Sequence, residues 1–289
     1  MNEFYPGTII ECDVVREAPF GYFLSNGKEE VLLHHNDIEE GTTPSGKIRV
    51  FLYQDHQGRL CATMSIPSIT LDTYDWAEVV EVKRRLGVFV DIGISKDILI
   101  STDDLSEEWS IWPYKGDKLY ISLKTDKKDR LFGKLADEET MRAMSAPASD
   151  DMFNRDITAY VYRHLMTGTR VITEDRIIGF LHEDERNNQP EPRLGQAIHG
   201  RVIEVKEDGT INITLRKRGY EAMDEDARKL YDYMVSRNGA MPFWDKSLPD
   251  DIYNKFELSK GAFKRALGKL MKEGKVYQED GWTYLKKNE

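Results

Sequence analysis

The sequence predicts a multi-domain, mainly β chain: three small β-barrels in tandem, then an α/β domain of three helices and a hairpin. Three observations predict it. Short runs rich in β-branched and aromatic residues, separated by turn residues, fill the first 216 of the 289 residues. Glycines recur in matching places, at 21, 87 and 168 and again at 46, 116 and 195, with internal spacings of 25, 29 and 27. After Arg218 the apolar period changes from that of strands to that of helices.

Unit one, residues 1–67, contains strand-like runs at Gly7–Val15, Gly21–Ser25, Val31–His34, Lys47–Tyr53 and Gly58–Met64. Five short strands in this length suit a closed barrel, because closure removes the exposed sheet edges. Unit two, residues 68–140, repeats the pattern from Trp76–Val82 to Arg130–Leu135, and unit three, residues 152–218, repeats it from Ile157–Arg163 to Thr210–Arg216. Between them, residues 137–144 read as a short helix. The small, polar, proline-containing stretch 143–151 reads as a linker.

The last domain, residues 222–289, opens with a helix whose apolar face is Ala227, Leu230, Tyr231 and Met234, ended by Asn238-Gly239. A second helix is expected from an N-cap at Ser247. A third begins at Ser259, buries Phe263, Ala266, Leu267 and Leu270, and stops at Gly274. Asp280-Gly281 between two alternating runs predicts a hairpin. Three helices and a hairpin are the order of a winged helix-turn-helix. Lys264, Arg265, Lys269 and Lys272 lie off the apolar face of the third helix, as in a helix that meets phosphates.

Composition bounds the function. The net charge is −10, which taken whole argues against a nucleic-acid partner. Fields act within a Debye length of about 8–10 Å, so the local balance matters more. Residues 1–70 and 71–140 each carry −5, residues 141–218 and 219–289 are each balanced, and residues 254–289 carry +4. No apolar run reaches the length of a membrane span, and the N-terminus lacks a basic region followed by an apolar stretch. Two cysteines, Cys12 and Cys61, form no CxxC pair, which excludes a disulfide scaffold and fits a reducing cytoplasm.

Several motifs are set aside. Gly41–Lys47 spells part of a phosphate-binding loop, but Ile48 stands where Ser or Thr should bind magnesium and a strand follows instead of a helix. The acidic clusters lack calcium-loop spacing, and no HExxH is present. His34 and His35, read as strand neighbours, point to opposite faces and cannot share a metal. No metal, cofactor or catalytic residue is expected.

The three units resemble the RNA-binding domain of ribosomal protein S1, an OB-fold type. Unit one carries Phe20-Gly21-Tyr22-Phe23-Leu24 and Leu32-Leu33-His34. Unit three carries Gly179-Phe180-Leu181-His182 and closes with Gly195-Gln196-Ala197-Ile198 and Gly209–Arg216. Three such OB-fold barrels plus a winged helix resemble the bacterial conserved virulence factor B family. The resemblance implies an RNA-binding regulator without catalytic activity that influences expression of virulence-related genes. OB-folds hold single strands by stacking bases on aromatic side chains beside a basic track. Phe20 and Phe23 stand where the family stacks bases, with His34 nearby; being three apart, they need a bend to share a face. Unit two keeps Phe89 but has Leu86 and Ser101 at the other positions, which suits a degraded site or spacer. Unit three keeps Phe180 and His182, with Thr167 and Arg170 at the aromatic positions. Tyr160, Tyr162 and His164 alternate on one strand and would form an exposed platform, unless the tyrosines pack against the neighbouring unit. The expected partner is single-stranded RNA, favoured on unit three and the winged helix. The alternative is duplex DNA bound by Lys264, Arg265 and Lys269 of the winged helix.

Overall fold

The computed structural model describes residues 3–217 and 219–286, with the backbone alone for 219–224. The chain divides into two compact parts, Met1–Arg216 and Lys217–Glu289. In the first part, β1 (Ile9–Ala18), β2 (Gly21–Ser25), β3 (Glu30–His34), β4 (Lys47–Gln54) and β5 (Leu60–Thr63) close into a barrel in the order β1-β2-β3-β5-β4. Its core is Ile10, Leu24, Leu33, Val50, Leu52 and Ala62.

Unit two uses β6 (Asp75–Lys83), β7 (Gly87–Asp91), β8 (Ile98–Ser101), β9 (Lys118–Thr125) and β10 (Leu131–Leu135). The order is the same, but the sheet is open: β8 and β10 lie side by side without ladder bonds. Gly133 of β10 faces Ile100 of β8, and an added Cβ would stand 2.7 Å from Ile100 Cγ1, so side-chain packing fills the seam. Unit three closes again, from β11 (Asp156–Leu165), β12 (Gly168–Thr173), β13 (Ile178–His182), β14 (Ala197–Val205) and β15 (Ile211–Thr214), through a parallel β13–β15 pair.

The three units share walls. Every residue of β4 from Val50 to Tyr53 is buried: Val50 and Leu52 face their own barrel, while Phe51 and Tyr53 join the core of unit two. Tyr53 Oη donates to Asp37 Oδ2 at 2.9 Å and lies 2.8 Å from Ser95 Oγ of unit two. Lys96 Nζ donates to the carbonyls of Gln54 and Asp55 at 2.6 and 3.1 Å. Between units two and three, Arg193 forms a bidentate pair with Asp117, both bonds 3.1 Å. The expected linker is itself packed. Helix α1 (Glu138–Met144), N-capped by Asp137, buries Met141 against Ile172 and Ile178, and Ala148 N–H bonds Gly209 O.

The second part contains α2 (Gly219–Ser236), β16 (Ala240–Met241), α3 (Pro249–Phe256), α4 (Lys260–Lys272), β17 (Val276–Glu279) and β18 (Trp282–Leu285), with sheet order β16-β18-β17. Its core gathers Leu230, Met234, Ile252, Phe256, Phe263, Leu267 and Leu270. Ser259 caps α4 by accepting from Ala262 N–H, as expected. Ser247 is not the cap of α3. Its Oγ accepts from Trp244 N–H at 2.9 Å and closes a turn, and α3 starts with Pro249 in the first turn, where a missing N–H costs nothing. Asp280 (φ 47°) and Gly281 (φ 82°) are both left-handed, the geometry of a tight hairpin turn.

Candidate nucleic-acid interface

A common frame carries the candidate residues in all three units. Strands β2, β7 and β12 each begin with a glycine: Gly21 (φ 154°), Gly87 (φ 133°) and Gly168 (φ 154°). A Cβ there would stand 2.1, 1.9 and 2.3 Å from the carbonyl oxygens of Leu33, Ile100 and Leu181, so only glycine lets the hairpin tip lie against the next strand. Each first strand also bulges at one place, between Val14 and Arg16, Val79 and Glu81, and Val161 and Arg163. The bulge sets the residue after it opposite the middle of the second strand: Arg16 faces Phe23, Glu81 faces Phe89, and Arg163 faces Arg170.

In unit one the bend that Phe20 and Phe23 require is the β1–β2 turn. Phe20 precedes β2, is 48% exposed, and meets the Phe23 ring edge-on with centroids 6.1 Å apart. The Arg16 guanidinium lies 3.6 Å from the centre of Phe23 and pairs with Glu30 at 3.2 Å. His34 pairs with Gly21 across the ladder, two positions along from the Phe23–Leu32 pair. The chain leaves the strand at His35, which begins a 3-10 turn, and the two imidazoles are 6.4 Å apart at an angle of 65°. The opposite-face expectation for this histidine pair therefore fails, because strand alternation ends at His34. Among the described residues no group of three His, Cys, Asp or Glu could hold a metal ion.

Unit three assembles the same face from other residues. Arg170 lies 5.7 Å from the centre of Phe180, and Phe180 meets His182 edge-on at 6.1 Å. Arg163 stands opposite Arg170 across the β11–β12 pair. The acidic turn after His182 is largely compensated: Arg186 approaches Glu183 and Glu191, and Arg216 approaches Glu185 at 3.7 Å. In unit two, Phe89 is retained with Lys83 4.9 Å from its ring, but Glu81 replaces the arginine and Leu86 is exposed at the tip.

The histidines have a second task. Asn36 N–H donates to His34 Nδ1 at 3.2 Å, and Asp184 N–H donates to His182 Nδ1 at 3.2 Å, each capping the turn that follows the strand. Ser101 does the same in unit two, accepting from Asp103 N–H at 3.3 Å.

The tyrosine platform does not form. Tyr162 is the bulged residue of β11, so the two-residue alternation from Tyr160 to His164 is broken there. Tyr162 packs against the Met141 cluster and donates to Glu138 Oε2 at 3.0 Å. Burial first, then the Glu138 carboxylate, hold its phenol above the ordinary tyrosine range. Tyr160 packs on Trp76 of unit two with centroids 5.3 Å apart, and His164 Nε2 lies 2.7 Å from Pro192 O. Both cysteines are buried, and burial followed by Asp13 pushes the Cys12 thiol up to about 11, far from a reactive thiolate.

In the winged helix, Lys264 and Arg265 are exposed on the face of α4 shared with Gly261 and Gly268. Lys269 is turned toward the helix end, where its Nζ lies 3.9 Å from Glu273. Sequence reasoning missed Arg16 and Arg163, because only the bulge brings them opposite Phe23 and Arg170. It also missed the aromatics of the wing, Tyr277, Trp282 and Tyr284, which alternation around Asp280-Gly281 could have placed on the outer face.

Comparison with known proteins agrees with this architecture. Residues 6–65 match the S1 domain model, 74–134 the CvfB first S1-like domain, 141–217 the second domain of virulence regulatory factor CvfB, and 228–285 the CvfB-like winged helix domain. The chain is 49% identical to the uncharacterized protein YitL of Bacillus subtilis over 98% of its own length and 94% of that protein. It is 37% identical to conserved virulence factor B of Staphylococcus aureus over 97% of its length and 94% of that protein. A crystal structure of a multidomain protein with nucleic acid binding domains from Streptococcus pneumoniae superposes with a TM-score of 0.68 at 39% identity, covering 97% of this chain and 98% of that one. Among the described residues no helix is long and apolar enough to cross a membrane. S1-type barrels joined to a winged helix are the domain set of a nucleic-acid-binding regulatory factor, and the chain belongs to the conserved virulence factor B family.

Proposed function

We propose that the protein is a non-catalytic regulator that binds single-stranded RNA, mainly through unit three and the winged helix, and so acts post-transcriptionally on virulence-related genes. The observation that carries the reading is the outer face of unit three. Arg170, Phe180 and His182 meet there, and Arg163 stands opposite Arg170 in register with its guanidinium 3.9 Å from Glu138, while the equivalent face of unit two presents Glu81, Phe89, Leu99 and Ser101. Arginine beside an aromatic ring can stack on a base and reach a phosphate, which is how single strands are held without sequence readout. Phe20, Phe23 and His34 of unit one offer a second aromatic site, in a unit whose charge of −5 opposes phosphates.

Fluorescence anisotropy with a single-stranded RNA oligonucleotide tests this. Arg170→Glu combined with Phe180→Leu should weaken binding more than Phe20→Leu combined with Phe23→Leu, and affinity should fall with salt through counterion release. Equal or reversed losses would overturn the ranking. RNA incubated with magnesium should stay intact, and clean cleavage would show an enzyme. The exposed pair Lys264 and Arg265 favours a second reading, duplex DNA held by α4. Duplex DNA that displaces RNA at equal or lower concentration would support it.

A further inference from the structure

The wing carries an aromatic row that serves no core. Alternation in the β17–β18 hairpin turns Val276, Thr283 and Leu285 inward, where Val276 and Thr283 are buried and Leu285 packs on the core. The opposite face holds Tyr277 and Tyr284, paired across the strands, and Trp282 opposite Glu279. Tyr277 and Tyr284 stack with centroids 5.3 Å apart and planes 22° apart, and Tyr284 and Trp282 follow at 6.4 Å and 25°. Tyr284, the middle ring, is half-buried, while the terminal rings Tyr277 and Trp282 are 40% and 42% exposed.

One cross-strand aromatic pair is enough to steady a hairpin. Trp282 extends the row beyond that need and exposes an indole at the tip of the hairpin. Large exposed aromatics gathered on one face mark an interaction surface. Near-parallel rings suit flat, aromatic ligands, and every base has such a face. The charges are arranged by position. At the foot of the hairpin Lys286 N–H bonds Lys275 O, so the pair beyond Val276 and Leu285 is two lysines, which alternation assigns to the face of the row; Lys275 also pairs with Glu273 at 2.8 Å. At the tip Glu279 and Asp280 repel phosphates.

We propose that this row is a base-stacking site for single-stranded RNA, with bases on the faces of Trp282 and Tyr277 and the phosphates running toward Lys275 and Lys286. The proposal rests on the RNA reading above and adds the mode of contact. It predicts that the wing reads bases, whereas α4, with Lys264 and Arg265, reads charge.

The test uses the full chain, an oligouridine, and an abasic strand of the same length. Trp282→Leu with Tyr277→Leu leaves the inward face intact but removes both ring neighbours of Tyr284, so a small drop in melting temperature is expected, and a cooperative transition well above the assay temperature confirms the fold. Stacking predicts a loss of about tenfold or more on oligouridine and no change on the abasic strand. An equal loss on both strands, or none on either, overturns the stacking site. Lys264→Glu with Arg265→Glu separates the two readings: binding lost on both strands in that variant, with none lost in the aromatic one, removes the stacking site and leaves the RNA reading intact. Failure of the unaltered protein to bind oligouridine removes the RNA reading itself. Binding of a protein partner, and not RNA, that depends on Trp282 would also overturn the proposal.

Discussion

Units two and three are built on one frame and present opposite surfaces. Both start the second strand with a glycine that no other residue can replace, both bulge one turn earlier, and both cap the following 3-10 turn with a side chain. On that frame unit two shows Glu81, Leu86, Phe89 and Ser101, and unit three shows Arg163, Thr167, Arg170 and His182. What repeats is therefore what the backbone requires, and what differs is free to serve a ligand. The difference also extends to the core. Unit two shares its core with residues of β4 and is left open at the β8–β10 seam, whereas unit three closes its own barrel.

The largest expected effect tests the shared frame. Gly168→Ala and Gly87→Ala each force a Cβ to within about 2 Å of a carbonyl oxygen. Each should cost about 3–5 kcal/mol, measured by denaturant unfolding. A large loss in one unit with none in the other would show that the frames are not equivalent.

Next in size is Tyr162, which packing has taken from the surface of unit three; the residue at the corresponding bulge of unit two is Val80. Tyr162→Phe removes a hydrogen bond to a carboxylate and should cost about 1–2 kcal/mol while leaving RNA affinity unchanged. The pH dependence has a definite sign. Because the folded phenol is held above its ordinary value near 10, its contribution is present below about pH 10 and is lost as pH rises further. The phenylalanine variant should lose part of that alkaline slope. A change in RNA affinity as large as that from Arg170→Glu would return Tyr162 to the binding surface.

Exchanging the charge after the bulge tests the surface itself. Arg163→Glu should weaken RNA binding about tenfold, or roughly 1.4 kcal/mol, and flatten its salt dependence. Glu81→Arg should strengthen binding by less, because unit two still lacks the rest of the face. If both variants bind as the unaltered protein does, the contrast between the two faces has no bearing on RNA.

Much of this was legible in the sequence because its causes are local. Gly21, Gly87 and Gly168 mark the frame, Ser259 and Asp280-Gly281 mark the start of α4 and the turn of the wing, and the period change after Arg218 marks the second part. What was not legible depends on registers and neighbours. A single extra residue at Tyr162 breaks the alternation that predicts an exposed platform, and the bulges of β1 and β11 hide Arg16 and Arg163 from a two-residue pattern. Ser247 spells an N-cap, but Pro249 starts the helix two residues later and leaves the serine to a turn. The packing of Tyr160 on Trp76 joins residues 84 apart in the chain, which no window can show.

The smallest effect separates the two tasks of the histidines. If the imidazole of His182 were only a cap, serine could replace it, because Ser101 already performs that task at 3.3 Å on the same frame. His182→Ser should then change stability by no more than about 0.5 kcal/mol, since one oxygen acceptor replaces a nitrogen acceptor. RNA affinity should fall nonetheless, by a few-fold, because the ring that meets Phe180 edge-on is gone. Ser101→His makes the reverse change and should leave affinity unaltered, as Glu81 and Leu86 still face outward there. A histidine that costs stability but not affinity when replaced would be a cap and nothing more. The repeated Leu-His of units one and three would then be a folding signal, and the aromatic and arginine side chains beside it would carry the binding alone.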